Sequence, residues 1–445
     1  MARTIDLTKG SIGKKLVLFA VPLLLSSLVQ QLYNTVDLIF VGNFIDKSAS
    51  AAIGISSLLI TCLVGFFGGM SVGSGVVISQ FFGAEEKENL KKAVHNTVAL
   101  SIAGGILFWI AGYFLAPGYL DLMNTPEELK APSLGYLRIY FCSFLSMFLY
   151  NLGSGVLRAL GDARSPLYAQ FLGGIANVAA DYIFIRNFEN GIEGVAWATV
   201  LSQTLAAVVT LCQLSRLDRN YAFRIQKLSF DRQILKEVLS IGIPAGAQSL
   251  VITLSNVMAQ YHINSFGEDA IAAFTAYFKV ELIIYLPIVA FGQAVMVFAG
   301  QNMGAGQYKR IREGTRISLL LSAGLAVSIS LAALFLGESL FRIFNRESSV
   351  IETGCQIIQV SFPFYFIYSI LQILGDSLRG MGKVKQPMYI IFLNICLIRT
   401  ALLFLIVPQI GDVRGVAVTY PITWTLTAVG MAFCYIRFQK GLEKG

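Results

Sequence analysis

Acidic side chains lie within stretches of this sequence that are otherwise apolar enough to dissolve in lipid. Asp37 is part of "QQLYNTVDLIFVG", Asp181 is part of "GGIANVAADYIFI", and Glu281 lies in a third such run. A charged group within a membrane costs about 2.5–3.5 kcal/mol on insertion scales, so it persists where it faces a cavity or a partner. These acids are therefore the first candidates for function.

Two of the acids have polar neighbours at helical spacing. Gln30, Asn34 and Asp37 stand at positions i, i+4 and i+7, which places them on one face of a helix. Asn177 and Asp181 are separated by one helical turn in the same way. Each acid thus belongs to a polar stripe on a helix that is otherwise apolar.

Thr199 adds a hydroxyl at a comparable depth in the next apolar run. Two carboxylates, an amide and a hydroxyl suit a hard monovalent cation, and buried carboxylates can also take up protons. The alternative is a hydrogen-bond network that only locks helices together. We predict a cation or proton site formed by Asp37, Asn177, Asp181 and Thr199, with H⁺ or Na⁺ as the coupling ion and no metal or other cofactor.

Glu281 has a basic neighbour, Lys279, two residues earlier, and Arg399 lies in a later apolar run. Residues two apart point to different faces of a helix, so Lys279 and Glu281 are not predicted to pair with each other. Glu281 either faces a central cavity or forms a structural pair. The sequence leaves both alternatives open.

The elements that must position these residues are membrane-spanning helices. Hydrophobic residues make up 55% of the chain and charged residues only 13%, which is far from the composition of a soluble domain. A helix needs roughly 20 apolar residues to cross the bilayer core. Twelve such runs are predicted, at 14–42, 50–82, 92–117, 132–157, 166–188, 192–214, 234–266, 270–300, 313–337, 350–376, 387–408 and 413–436.

The basic residues concentrate on one side of this layout. Most Lys and Arg residues fall on the connections that share a side with both termini, which the positive-inside rule identifies as cytoplasmic. An even number of spans also places the two termini together. We therefore interpret the net charge of +8 as a sign of membrane orientation and not of nucleic-acid binding, and we expect a multi-pass monomer among membrane lipids.

An internal repeat divides the chain into two halves. "LRALGDARSP" at 157–166 returns as "LRGMGKVKQP" at 378–387, and three shorter matches follow the same order. The predicted division is a bundle at 1–214, a cytoplasmic linker at 215–233 and a second bundle at 234–445. Because each half has six spans, the two halves are related by a pseudo-two-fold axis along the membrane normal.

The repeat is uneven at the polar positions. The second half has no acid where the first half has Asp37 and Asp181, whereas Asn34 corresponds to Asn256. This difference assigns ion coupling to the first bundle and favours a packing role for Asn34. Pro22 and Pro244 also correspond, and proline within a helix permits a bend or fixes a static kink.

The glycines of "GFFGGMSVGSG" in the second span, which include Gly69 and Gly73, have the small-x-x-x-small spacing that permits close helix approach. We interpret them as packing residues. The sequence contains no P-loop and no His-Glu-x-x-His motif, so ATP hydrolysis and catalytic metal chemistry are not predicted.

Together these features resemble the multidrug and toxic compound extrusion (MATE) family. The resemblance rests on the two six-span repeats, the proline and "QQLYNTVDLIFVG" of span 1, "LRALGD" with its following proline, and the Asn-Asp pair of span 5. It covers nearly the whole chain. It implies an all-α membrane protein with two six-helix lobes around a central cavity, in the cytoplasmic membrane.

The resemblance also implies an activity. MATE proteins export amphipathic, often cationic compounds in exchange for inward H⁺ or Na⁺, and they are not enzymes. This sequence is more similar to the DinF-like members than to the NorM type, because span 7 has Gln248 and no acid. By that similarity the site predicted above is the cation site of the N-lobe, and the residues assigned to the substrate cavity are Gln30, Asn34 and Glu281.

Two alternatives compete with drug export. A flippase for lipid-linked saccharides belongs to the same wider superfamily, but such proteins usually have more spans or a more basic cavity. An intramembrane transferase would be an enzyme, and the sequence offers no cluster of nucleophile and base.

Overall fold

A computed structural model describes residues 4–44, 47–187 and 191–442, apart from the side chains of 37–39, 41–44, 47–50, 185–187 and 191. The described chain forms twelve long helices, one for each predicted span, and the all-α membrane fold is confirmed. The helices are α1 (Ile12–Phe44), α2 (Lys47–Gly83), α3 (Lys87–Leu122), α4 (Glu127–Ala159), α5 (Arg164–Asn187), α6 (Gly191–Ser215), α7 (Arg232–Asn264), α8 (Glu268–Gly304), α9 (Tyr308–Phe344), α10 (Ser348–Gly380), α11 (Lys385–Ile410) and α12 (Arg414–Leu442).

Two of these helices change their hydrogen-bond pattern along their length. A 3₁₀ turn at Phe362–Phe364 interrupts α10, and a π-helical stretch at Phe392–Ile398 lies in α11. Within the described residues, eleven helices are long and apolar enough to cross a membrane. The remaining one, α5, has 24 residues and contains the polar residues Gln170, Asn177 and Asp181, which lower its hydropathy.

The repeated "LR..G....P" motif ends a helix in the same way in both halves. Gly161 has φ of +84° and Gly382 has φ of +80°, a left-handed conformation that glycine adopts without strain. The N–H of the residue after each glycine bonds to a carbonyl oxygen in the last turn of the helix, that of Leu157 or Leu378, at 2.9 Å in both cases. This is the Schellman arrangement that ends a helix, and its recurrence supports the duplication.

The chain forms two compact units whose limits lie inside helices. Unit 1 comprises the residues up to Asp6 together with Leu25–Gly246, and unit 2 comprises Leu7–Leu24 together with the chain from Ala247 onward. The predicted linker at 215–233 covers the loop between α6 and α7 instead, and the structure places that whole loop in unit 1. The loop is fixed there by hydrogen bonds to α3, including one of 2.8 Å from Asn96 Nδ2 to the carbonyl oxygen of Asp231.

The segment before α1 is held within unit 2 by hydrogen bonds to its backbone. Leu7 is fully buried, and its N–H donates to Gln301 Oε1 at 3.0 Å. Arg310 Nη2 donates to the carbonyl oxygen of Gly10 at 2.8 Å. These bonds explain why the segment Leu7–Leu24 is counted with the C-terminal helices.

Glycines bring α2 against the first part of α7 inside unit 1. A Cβ atom at Gly69 would overlap the backbone of Gly246, and one at Gly73 would overlap the backbone of Val238 and Gly242. Each helix thus presents a Gly-x-x-x-Gly pair to the other, so the backbones come into direct contact. The packing role predicted for the α2 glycines agrees with this geometry.

Candidate functional site

In unit 1, Asn177 and Asp181 are both buried on α5. Their exposed fractions are 2% and 0%. Among the described residues Asn177 Oδ1 has no hydrogen-bond partner, although a buried amide oxygen normally has one. We call these two residues the α5 acid–amide pair. They offer oxygen atoms in a place that water does not reach.

Thr199 of α6 lies at the level of this pair. On the C-terminal side of Thr199, Gly173 packs against Ser202. A Cβ built on Gly173 would lie 3.2 Å from the carbonyl oxygen of Ser202. On the other side Gly194 packs against Phe184 at the same distance. Because α5 and α6 are antiparallel and Thr199 lies between these two contacts along α6, Thr199 stands opposite the acid–amide pair. Its hydroxyl donates to the carbonyl oxygen of Val195 in its own helix at 3.1 Å.

The second part of α1 contacts α5 through Tyr33. Gln170 Nε2 donates to the Tyr33 hydroxyl at 3.2 Å, and a Cβ at Gly174 would lie 3.3 Å from the tyrosine ring. Asp37 follows Tyr33 by one turn, and the acid–amide pair begins one turn after Gly174. Because α1 and α5 are both odd-numbered spans, they cross in the same direction, so the backbone of Asp37 approaches the level of the pair.

The other predicted residues of α1 are Asp37, Gln30 and Asn34. The side chain of Asp37 lies outside the described residues. Gln30 and Asn34 are exposed, and Asn34 Nδ2 lies 3.4 Å from Gln31 Oε1. The assignment of Gln30 and Asn34 to a substrate cavity stays a prediction.

Glu281 is part of a separate polar cluster in unit 2. The Tyr365 hydroxyl of α10 donates to Glu281 Oε1, and the Tyr277 hydroxyl lies 3.5 Å from that of Tyr365. Lys279 is exposed whereas Glu281 is half-buried, which agrees with the expectation that they occupy different faces of α8. Glu281 therefore has a structural partner on another helix.

Arg399 supplies the positive charge of this cluster. Its guanidinium carbon lies 4.6 Å from the centre of the Tyr420 ring, and its Nη atoms lie 3.5 Å from Asn256 Oδ1 and from Thr423 Oγ1. It also interacts electrostatically with Glu281. The charges of Glu281 and Arg399 thus partly compensate each other.

Aromatic rings close the cluster on the side of α10 and α12. The Trp424 ring lies 4.8 Å from the Tyr365 ring and 5.2 Å from the Tyr368 ring, measured between centroids. A search for charged residues in apolar runs does not find these side chains. The signal that could have found them is the spacing of Tyr420 and Trp424, which are one turn apart on a single face.

Asp376, near the end of α10, is engaged in a local ion pair. Its carboxylate is paired with Arg379 and accepts a hydrogen bond from Gln372 Nε2 at 2.7 Å. Because its partners lie on its own helix, we interpret it as structural.

The two prolines lie close to the limits of the units. Pro22 is inside α1 and Pro244 is inside α7. α1 passes from one unit to the other after Leu24, and α7 does so after Gly246. Each proline lies two residues before that point in its helix. Whether either proline bends in function stays a prediction.

Comparison with known proteins gives the same match in both halves. The MatE family model matches residues 22–183 and again residues 244–405. The two matches begin at corresponding prolines, which confirms the internal duplication.

Relatives and solved structures extend along the whole chain. It is 29% identical over 436 residues to the probable multidrug resistance protein YpnP of Bacillus subtilis, covering 98% of this chain and 97% of that protein. It is 27% identical to the probable multidrug resistance protein YoeA of the same organism, covering 97% and 94%. A multidrug resistance MATE family transporter solved in an outward-facing conformation has the same fold, with a TM-score of 0.93, 20% identity and coverage of 100% and 99%.

Proposed function

The chain belongs to the MatE family of multidrug efflux transporters, and from that premise we propose that it is a secondary active antiporter. It exports amphipathic cationic compounds from the cytoplasm as a monomer, in exchange for inward H⁺ or Na⁺. The observation that carries the proposal is the buried acid–amide pair of α5, with the unpartnered Asn177 Oδ1.

The coupling site consists of Asp37, Asn177, Asp181 and Thr199. The support is the burial of the α5 pair, the level of Thr199 on α6, and the contact of α1 with α5 at Tyr33. An ionised carboxylate is costly to bury, so a buried acid favours the uptake of a proton or a cation. Exchange of that ion drives export of the substrate.

Glu281 contributes to substrate binding from unit 2. The support is a half-buried carboxylate that accepts a hydrogen bond from Tyr365, whose ring belongs to an aromatic group with Tyr368 and Trp424. An acid beside aromatic faces attracts organic cations through charge and through cation–π interaction. In unit 1, Gln30 and Asn34 are the polar residues of α1 that we assign to substrate binding.

Alternating access moves the binding site between the two sides of the membrane. The support is the position of Pro22 and Pro244, each two residues before its helix passes from one unit to the other. A proline leaves a backbone carbonyl without its helical hydrogen bond, so the helix bends more easily at these points than an unbroken helix does.

The test is efflux of a cationic dye from proteoliposomes, first with an imposed pH gradient and then with a sodium gradient. We expect one of the two gradients to drive efflux, and Asp37→Asn and Asp181→Asn to reduce it to the level of empty liposomes. Each variant removes the carboxylate and keeps the shape.

The matched control is Asp269→Asn, which neutralises an exposed acid in the first turn of α8. It should transport like the unsubstituted protein. Gradient-driven efflux that survives in both Asp37→Asn and Asp181→Asn would exclude the coupling role.

A further inference from the structure

The loop between α6 and α7 has an inner and an outer row of side chains. Tyr221 and Phe223 pack against the hydrophobic core of unit 1. In the residues that follow, Ile225 is 71% exposed, Leu228 is 38% exposed and Phe230 is 56% exposed. Large apolar side chains that are exposed together in a loop indicate a surface that another molecule covers.

The loop holds this outer row in a fixed position. The Arg224 N–H donates to His95 Nε2 at 3.1 Å, and the Phe223 ring lies against the His95 ring, 5.6 Å between centroids. At the other end Asn96 holds the carbonyl oxygen of Asp231 at 2.8 Å. A short 3₁₀ turn at Ile225–Lys227 lies between these two anchors. The apolar side chains are therefore presented on a surface of defined shape.

Basic groups gather beside the apolar row. The Lys91 ammonium of α3 lies next to Lys227 and lowers its pKa, and Arg224 acts in the same direction, while Glu88 opposes them more weakly. Lys227 is exposed and Lys91 is half-buried, and two ammonium groups this close repel each other unless an anion lies between them. The feature points to an anionic ligand at the edge of an apolar surface.

We propose that residues 224–230 lie in the membrane interface and bind an anionic phospholipid through Lys91, Arg224 and Lys227. Ile225, Leu228 and Phe230 enter the boundary between headgroups and acyl chains, and the basic groups hold the phosphate. The positive-inside rule places this loop at the cytoplasmic surface, where anionic headgroups attract basic segments. A cytoplasmic protein would match the charge, but it would not explain an apolar row beside the ends of membrane helices.

The experiment is native mass spectrometry of the full chain, released from detergent that contains equal amounts of phosphatidylglycerol and phosphatidylcholine. We expect phosphatidylglycerol to be retained preferentially. The Lys91→Gln/Lys227→Gln variant should bind it about fivefold more weakly for each basic residue removed. The Ile225→Ser/Phe230→Ser variant should also bind it more weakly, although its charge is unchanged.

Lys383→Gln/Lys385→Gln is the matched control, because it removes the same charge from the connection between α10 and α11 and from the first residue of α11. It should retain phosphatidylglycerol like the unsubstituted protein, and millimolar inorganic phosphate should not displace the lipid. Lys227→Gln alone, at an exposed side chain, repeats the test without risk to folding.

Equal retention of the two lipids would overturn the proposal, as would linker variants that match the control. A second copy of the chain or a polypeptide found bound in place of lipid, and lost in the linker variants, would also overturn it. Displacement by inorganic phosphate would assign the basic groups to a free anion.

Discussion

Buried polar side chains destabilise a membrane helix unless they have partners. The Glu281 cluster and the α5 acid–amide pair differ in this respect. In unit 2, Glu281 has a tyrosine hydroxyl donor and the charge of Arg399. In unit 1, the described partners leave Asn177 Oδ1 without a hydrogen bond. An acceptor without a partner suits a site that takes up an ion, whereas a paired acid suits a site that keeps its shape.

At the residue scale, Glu281→Gln tests the role of the unit 2 acid. We expect its affinity for a monocationic dye to fall about tenfold while the affinity for an uncharged substrate changes little, because the substitution removes charge and keeps volume. Tyr365→Phe should shift the dye affinity in the same direction by less. Dye binding to purified protein measures both.

Tyr389→Phe is the control for the tyrosine variant, since Tyr389 is 62% exposed. An equal loss of affinity for charged and uncharged substrates, together with a lower melting temperature, would instead assign Glu281 to structural pairing.

At the element scale, the contact of α2 with α7 depends on glycines that allow backbones to touch. Gly68 and Gly69 are neighbours in α2, but a Cβ at Gly68 meets nothing within 4 Å, whereas one at Gly69 meets the backbone of Gly246. The same substitution at the two positions therefore separates helix propensity from packing.

We expect Gly69→Ala to lower the stability by about 1–3 kcal/mol through overpacking. Gly68→Ala should be neutral or stabilising by up to about 1 kcal/mol, because alanine favours the helix. Thermal unfolding of the purified variants in one detergent gives the comparison. Equal melting temperatures would show that the two helices separate easily at this point.

At the scale of the whole molecule, α1 and α7 are the helices that belong to both units. If transport needs the two units to move, these helices must deform near Leu24 and Gly246, where they pass from one unit to the other. The proline two residues before each of these points weakens the helix there.

We expect Pro22→Ala and Pro244→Ala to slow dye efflux while dye binding stays unchanged, because proline costs a helix interior about 3 kcal/mol and alanine restores the unbroken hydrogen bonding. Pro287→Ala, within α8 and away from the unit limits, is the control. Transport rates in proteoliposomes and equilibrium dye binding test this pair of expectations, and an unchanged rate in both variants would show that neither proline serves the cycle.

Local sequence patterns predict much of the structure of this protein. Each of the twelve helices follows a long apolar run, and the two motifs that contain Gly161 and Gly382 end helices with the same hydrogen bonds. The Asn177–Asp181 spacing predicts a shared helix face because the helical period is a local property. The family follows from these features, since its model matches both halves.

The remaining features depend on contacts between residues far apart in the chain. The pairing of Glu281 with Tyr365, the approach of Gly69 to Gly246 and the position of Leu7 beside Gln301 all join different helices. Apolar runs in a membrane protein indicate that a helix is embedded, but they do not indicate its neighbours, because lipid and protein are nearly equally apolar. The sequence therefore determined the helices, their duplication and the polar face of α5. Only the tertiary structure decided which side chains meet and where α1 and α7 pass between the units.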